Sequence, residues 1–244
     1  MRRVLFSGLV LALCTVSAWG QKSKPWNELT EKEVAKILND SPWGQTQTEG
    51  DESRPDQTSA ITQVAASGSA NRQLSREGEA PDTRPSRVIK LRARFLSAKP
   101  VRGAFARYLL LKKPDADENL SVQLQGFVDR DFVDYVVVVV MPEAEDPRLV
   151  DPAMQFLNSA TADVLKDRVY LERKDGKRLV LADYRPPGPD GMGAKFVFMR
   201  MIEGKPFLTP ESDNVRFFAQ LSEKMKLNVR YKVSDMMYDG KLEY

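Results

Sequence analysis

The residues best suited to chemistry in this sequence are carboxylates. The stretch MPEAEDPRLVD, residues 141–151, places Glu143, Glu145 and Asp146 just past a run of apolar residues. Acids gathered at the end of a buried strand could hold Ca²⁺, which prefers oxygen ligands. Their spacing matches no known calcium loop, so a solvated turn is the competing interpretation. Two acids brought together in space could also hydrolyse a glycan.

The absence of histidine limits the other chemistries. None of the 244 residues is a histidine, and the chain has one cysteine, Cys14. This composition excludes a Ser-His-Asp or Cys-His catalytic system and histidine-ligated zinc. Catalysis would have to use paired carboxylates, a lysine base or an oxygen-ligated metal. The sequence indicates no cofactor.

A basic run is the second candidate site. From Arg87 to Lys113 the sequence has nine basic residues and no acidic one. A strand-helix face of this charge could bind an anionic cell-surface polymer. Acidic stretches follow directly, so an ordinary solvated face is the competing interpretation. The candidate residues of this basic face are Lys90, Arg92, Arg94, Arg102 and Arg107.

The third candidate is a short helix between two tryptophans, in the stretch PWNELTEKEVAKILNDSPWGQTQTEG. Thr30 and Glu33 predict a capping box at its start. A helix of about eight residues is marginal alone in water, so it needs a surface to pack on. It could clasp its own domain or dock on a partner such as an envelope protein. The residues predicted to make this contact are Trp26, Leu29, Val34, Ile37, Leu38 and Trp43.

The N-terminus indicates export. Two arginines precede an apolar run over residues 4–16, and the small residues Ala18 and Gly20 follow it. This pattern is typical of a secretory signal peptide, here residues 1–20, with cleavage before Gln21. The mature protein would be extracytoplasmic, either periplasmic or secreted. No later stretch is long enough to span a membrane.

Cleavage would change the chemistry of the chain only slightly. It removes Cys14, whose lipidation is an alternative that the large residue before it disfavours. The net charge falls from +3 to +1, because Arg2 and Arg3 leave 35 basic and 34 acidic residues. A nearly neutral chain has no general attraction to nucleic acid, and we predict no nucleic-acid partner.

The remaining sequence predicts one domain behind a linker. Residues 21–43 contain the Trp-flanked helix, and residues 44–86, which lack aromatic side chains, read as a flexible linker. Residues 87–244 predict an α+β fold: an antiparallel or sandwich-like sheet with N-terminal helices.

Local patterns support that assignment. RVIKLRARFLS alternates like a half-buried strand, and DYVVVVVM reads as a strand covered on both faces. VRGAFARYLL, ENLSVQLQGFVDR and DPAMQFLNSATADVLKD each predict a helix. Asp175-Gly176 predicts a two-residue hairpin turn with positive φ at both residues. RPPGPDGMG, residues 185–193, predicts a long hairpin loop that could serve in recognition.

Three motifs resemble those of a set of secreted bacterial proteins of acidobacterial type. They are PWNELTEKEVAKILNDSPWGQTQT, DYVVVVV and VSDMMYDGKLEY. That set has no assigned function, so the resemblance implies export and a shared domain but no catalytic residue.

The sequence therefore favours a non-enzymatic extracytoplasmic structural or interaction protein. The alternatives are a carboxylate-based hydrolase of cell-wall glycan or peptide, and an envelope protein that binds calcium or a polyanion.

Overall fold

A computed structural model of the chain describes residues 23–50, 88–115, 117–222 and 225–244. The predicted signal peptide and most of the predicted linker lie outside these residues. The helices are α1 (Glu31–Asn39), α2 (Lys99–Lys112), α3 (Glu118–Val128), α4 (Asp151–Ser159) and α5 (Ala162–Leu165). None of the helices in the described ranges is long and apolar enough to cross a lipid bilayer.

Eight strands form one antiparallel sheet, in the order β1-β2-β3-β6-β5-β4-β9-β10. These strands are β1 (Gly44–Glu49), β2 (Ile89–Phe95), β3 (Tyr135–Ala144), β4 (Val169–Arg173), β5 (Arg178–Arg185), β6 (Ala194–Met199), β9 (Asn214–Gln220) and β10 (Lys226–Lys232). Two short hairpins pair β7 (Met201–Ile202) with β8 (Lys205–Pro206) and β11 (Met237–Tyr238) with β12 (Lys241–Leu242). The predicted α+β class is confirmed.

The sheet curls around an aromatic core. The ring of Phe217 lies 5.8 Å from that of Phe196 and 6.3 Å from that of Phe198, both edge to face. Across the interior, the rings of Phe95 and Tyr231 are 4.8 Å apart, and the Tyr231 hydroxyl donates to the Ala93 carbonyl at 2.9 Å. Edge-to-face aromatic pairs add to the energy of apolar burial, so these contacts fix the curvature of the sheet.

The alternating strands expose one face and bury the other. In β10, Leu227, Val229 and Tyr231 are buried, while the residues between them are exposed. In β3, all residues from Val136 to Val140 are buried. The layer formed by helices α1 and α2 covers the outer face that β3 shares with β2. Both patterns confirm the sequence prediction.

The predicted linker is wrong at its start, because Gly44–Glu49 forms strand β1. Its polar residues pair with β2 through the backbone, so the strand needs no apolar side chains of its own. Gln47 then bridges to the other edge of the sheet. Its side-chain amide donates to the Lys226 carbonyl at 2.6 Å and accepts from the Asn228 N–H at 2.8 Å. The edge strands β1 and β10 are thus joined by the Gln47 side chain, which donates and accepts hydrogen bonds as a paired backbone residue would.

Two smaller predictions also need correction. The helix predicted over residues 151–167 is split into α4 and α5, and the Ser159 hydroxyl donates to the Gln155 carbonyl at 2.9 Å, a bond that competes with helix continuation. The β4–β5 turn contains three residues, because the Arg173 N–H donates to the Lys177 carbonyl. Only Gly176 there has a positive φ, +82°.

Trp26 packs against α2 at a position where only glycine fits. A methyl group at Gly103 would lie 2.8 Å from Cβ of Trp26, whereas a methyl group at Gly126 in α3 would meet nothing within 4 Å. We expect Gly103→Ala to displace Trp26 and lower the free energy of unfolding by about 1–2 kcal/mol, since overpacking outweighs the gain in helix propensity.

Gly126→Ala is the matched control, and we expect it to raise the free energy of unfolding by up to about 1 kcal/mol. Chemical denaturation followed by tryptophan fluorescence measures both variants. Equal shifts of the same sign would contradict the packing of Trp26 on α2.

Candidate functional site

The Trp-flanked helix packs on its own domain. Leu29, Val34, Leu38 and Trp43 are buried, and Ile37 is half-buried against the same core. The apolar stripe of α1 is therefore turned onto the chain itself and not toward a partner. Of the two docking hypotheses, the structure supports the clasp.

Both tryptophans anchor the clasp through hydrogen bonds over long sequence separations. The Trp43 indole N–H donates to the Glu243 carbonyl at 2.9 Å, and its ring lies edge to face with Tyr238 at 6.2 Å. The Trp26 indole N–H donates to Oε1 of Gln125 in α3 at 2.9 Å. The clasp thus joins the N-terminal segment to the C-terminal residues and to α3.

The predicted capping box is present at the start of α1. The Glu33 N–H donates to the Thr30 hydroxyl, and the Glu33 carboxylate accepts from the Thr30 N–H at 2.7 Å. A further hydrogen bond from the Lys24 ammonium, with those from Thr30, lowers the pKa of Glu33 to about 2. The helix therefore keeps its cap across the physiological pH range.

The predicted basic face does not form, because most of its arginines are held in contacts within the fold. Lys90 is exposed, but Arg94 and Arg102 are only 4% and 3% exposed. Arg107 donates to the Leu29 carbonyl at 2.8 Å, and Arg92 forms an ion pair with Glu143 at 2.7 Å. The prediction of one cationic surface is wrong: β2 and α2 turn these residues into structural contacts.

The two buried arginines each bind the C-terminal end of a helix. Arg94 Nε donates to the Leu38 carbonyl of α1 at 2.6 Å, and Arg102 Nε donates to the Val128 carbonyl of α3 at 3.1 Å. The last carbonyls of a helix lack intrahelical partners and carry partial negative charge, so a guanidinium stabilises them. Burial, with the charge of Arg92 added, lowers the pKa of Arg94 to about 10, which leaves it charged at neutral pH.

The acidic stretch after β3 is dispersed into separate ion pairs. Asp146 accepts two hydrogen bonds from the Arg148 guanidinium, which lower the pKa of the Asp146 carboxyl, while Glu143 pairs with Arg92. Across the described ranges, no three Asp, Glu, Cys or His side chains gather closely enough to hold a metal ion. The calcium hypothesis gains no geometric support here.

The most organised polar surface is one that the sequence analysis missed, on the outer side of β4, β5, β9 and β10. Arg230 lies opposite Arg216, Arg216 opposite Glu172, and Glu172 opposite Arg178. We call these four residues the arginine row. Glu172 forms ion pairs with Arg216 at 2.8 Å and with Arg178, which leaves Arg230 without an acidic partner among the described residues.

An aromatic pair lies beside the arginine row. The rings of Tyr170 and Phe218 are stacked at 5.0 Å, with 21° between their planes. The guanidinium of Arg178 lies 4.1 Å from the Tyr170 ring centroid, and that of Arg216 lies 5.6 Å from it. Guanidinium groups held over aromatic rings lose less freedom on binding an anion, so this pair preorganises the row.

The surface around the row is strongly cationic. It has twelve outward residues, five of them basic and one acidic, so its formal charge is +4. The whole chain has +3, so the other 232 residues sum to −1. We call this surface the cationic sheet face; its residues are Tyr170, Glu172, Arg178, Val180, Asn214, Arg216, Phe218, Gln220, Lys226, Asn228, Arg230 and Lys232.

One end of this face is concave. An open groove of about 310 Å³ lies there, lined by Glu172, Arg173, Lys174, Asn214, Arg216 and Arg230. Four of its six residues are cations. Three of these are paired, Arg173 with Asp175, Lys174 with Asp213 and Arg216 with Glu172, so Arg230 is the groove cation left for an anionic group among the described residues. The alternating residues of β10 were visible in the sequence, but the register that aligns Arg230 with Arg216 was not.

Comparison with known proteins assigns no family. No protein-family model matches the chain, and no curated protein matches it. A solved structure of a protein of unknown function from Burkholderia pseudomallei is similar at 15% identity and a TM-score of 0.40. The match covers 57% of this chain and 72% of that one. A TM-score this low supports no inference about fold or function.

The burial of Arg94 generates a stability prediction. We expect Arg94→Met to lower the free energy of unfolding by about 3 kcal/mol, because the Leu38 carbonyl and the Asn39 side chain lose a charged donor. Lys90→Met, four positions earlier on the same outer face, is the control and should change it by less than about 0.5 kcal/mol. Urea denaturation measures both variants. Similar losses of unfolding free energy in the two variants would mean that Arg94 stabilises the fold no more than the exposed Lys90 does.

Proposed function

We propose that this protein is an exported, non-enzymatic binding protein that holds an anionic polymer on its cationic sheet face. The observation that carries this proposal is the arginine row. Like charges placed opposite each other on neighbouring strands destabilise a sheet, yet Arg230 and Arg216 are paired in this way. Glu172 neutralises Arg216 and Arg178 but does not reach Arg230. An anionic ligand between Arg230 and Arg216 would supply the missing negative charge.

The geometry favours a polymer over a small ion. The row crosses four neighbouring strands, which lie about 4.8 Å apart in a sheet. Its cations therefore form a line that several anionic groups of one chain could contact together. Lys226 extends the positive charge along β10, whereas Lys232 is paired with Asp235 at 2.9 Å. For an extracytoplasmic protein, the polymers of this kind are acidic glycans and the phosphate polymers of the envelope.

The carboxylate-based hydrolase remains the alternative, and the described residues give it less support. A general acid that works near neutral pH needs a raised pKa. The pKa of Asp146 is lowered by Arg148. Burial raises the pKa of Glu172, but the hydrogen bonds from Arg178 and Arg216 outweigh it and lower the value overall. Each of these carboxylates is stabilised in its charged form.

Heparin chromatography tests the cationic sheet face. We expect the protein to be retained and the double variant Arg230→Glu/Lys226→Glu to elute at lower salt. Each lost ionic contact should reduce the slope of log affinity against log salt by about one unit. The matched control is Lys90→Glu/Lys113→Glu, which makes the same charge change within the basic run of the sequence.

The control variant should elute with the wild type. Equal losses of heparin retention in the two double variants would mean that retention depends only on net charge. A loss of retention only in the Lys90/Lys113 variant would mean that heparin binds the basic run. Either result overturns the assignment to the sheet face.

Export is tested separately. We expect the full-length chain, expressed in a bacterium with a Sec pathway, to reach the extracytoplasmic fraction and to begin at Gln21 after processing. Edman sequencing of the fractionated protein measures this directly. A protein that keeps Met1 and stays in the cytoplasmic fraction would contradict the proposal.

A further inference from the structure

A second cavity lies beneath α1. It is on the part of the outer sheet surface formed by β2 and β3, away from the cationic sheet face. It has a volume of about 250 Å³, opens to solvent, and is lined by α1, α2, the outer face of β2 and β3, and the loop before β6. The loop contributes Gly191, in the stretch that the sequence analysis marked for recognition. Its polar lining residues are Glu31, Asn39, Arg92, Arg94, Tyr108 and Glu143.

Two guanidinium groups hold the unpaired donors of this lining. Arg94 uses one edge of its guanidinium, with Nε bound to the Leu38 carbonyl and Nη2 to Asn39 Oδ1 at 3.0 Å. Its Nη1 donates to no residue in the described ranges. Arg92 Nη1 binds the same Asn39 oxygen at 2.7 Å, and its buried Nε has no partner there. The donors exceed the acceptors that the protein provides.

The formal charges of the lining cancel, with two arginines and two glutamates, but they are paired unevenly. Arg92 pairs with Glu143, while Arg94, which is 96% buried, has no carboxylate in hydrogen-bonding range among the described residues. A buried charge is costly unless it is paired, so this guanidinium favours an anion beside it. Glu31, at the start of α1, is exposed.

Apolar side chains form another part of the wall. Val34 and Leu38 from α1 are buried, and Phe105 and Met141 face them from α2 and β3. A cavity of this kind, with apolar walls and a few fixed polar groups, is typical of small-molecule sites. Its volume is below the range of about 300–1,000 Å³ that drug-sized ligands occupy, so the ligand must be small.

We propose that this cavity binds a small carboxylate with an apolar tail. The carboxylate would accept hydrogen bonds from Nη1 and the free Nη2 proton of Arg94, and the tail would lie against Val34, Leu38, Phe105 and Met141. Binding would join α1 more firmly to β2, since the ligand contacts both elements. This site is independent of the cationic sheet face.

Titration calorimetry with octanoate tests the site, and octanol serves as the neutral probe of the same length. We expect octanoate to bind at least about tenfold more tightly than octanol, because only the anion can pair with Arg94. Ala35→Met places a longer side chain at the exposed side of the cavity and should weaken octanoate binding by about tenfold or more. Lys36→Met, the next residue on α1, is the control and should leave binding unchanged.

Three results would overturn the proposal: equal affinity for octanoate and octanol, unchanged binding in Ala35→Met, or inorganic phosphate binding as tightly as octanoate. The first two would indicate nonspecific adsorption of the alkyl chain, and the third a site for the anion alone. Methionine suits a helix nearly as well as alanine, so the Ala35 variant should remain folded. Its circular dichroism and heparin retention should match the wild type, which separates this test from that of the sheet face.

Discussion

The interaction on which the structure depends is the binding of buried guanidinium groups to helix ends. Arg94 on β2 holds the C-terminus of α1, and Arg102 on α2 holds that of α3. Each guanidinium needs acceptors because it is buried, and each helix end needs donors because its last carbonyls have none. Arg94 therefore joins the sheet to α1, and Arg102 joins α2 to α3, so each bond gives acceptors to a buried guanidinium and donors to a helix end.

This mutual dependence explains which parts of the fold could be predicted. Local patterns were sufficient for the capping box of α1, the buried strand β3 and the alternation in β10, since each depends on residues within one element. Strand β1 could not be predicted in the same way. Its residues are polar and carry no apolar alternation, and its stability comes from backbone pairing with β2 and from the bridge between Gln47 and β10. Those partners are remote in sequence.

The candidate sites also differ in whether they depend on residues of one element or on contacts between remote elements. The Trp-flanked helix was recognised because a short amphipathic helix has an evident need for a neighbour. The basic run failed as a site because charge counted along a chain does not show what covers each side chain: the end of α1 binds Arg92 and Arg94 on the outer face of β2, and α2 turns Arg102 inward. The arginine row has the opposite property. Its members come from β4, β5, β9 and β10, and only the strand register makes them neighbours.

The bonds that close the clasp also determine when the chain can fold. Trp43 is 200 residues from Glu243, and Gln47 is 179 residues from Lys226. Contacts this distant in sequence form late, because the intervening loop must close first and because the C-terminal strand is the last to be synthesised. During translation, α1 and β1 can meet α2 and β2, but the bonds that close the clasp wait for the C-terminal residues. Under the proposed export, this closure would follow release of the C-terminus from the translocation pore.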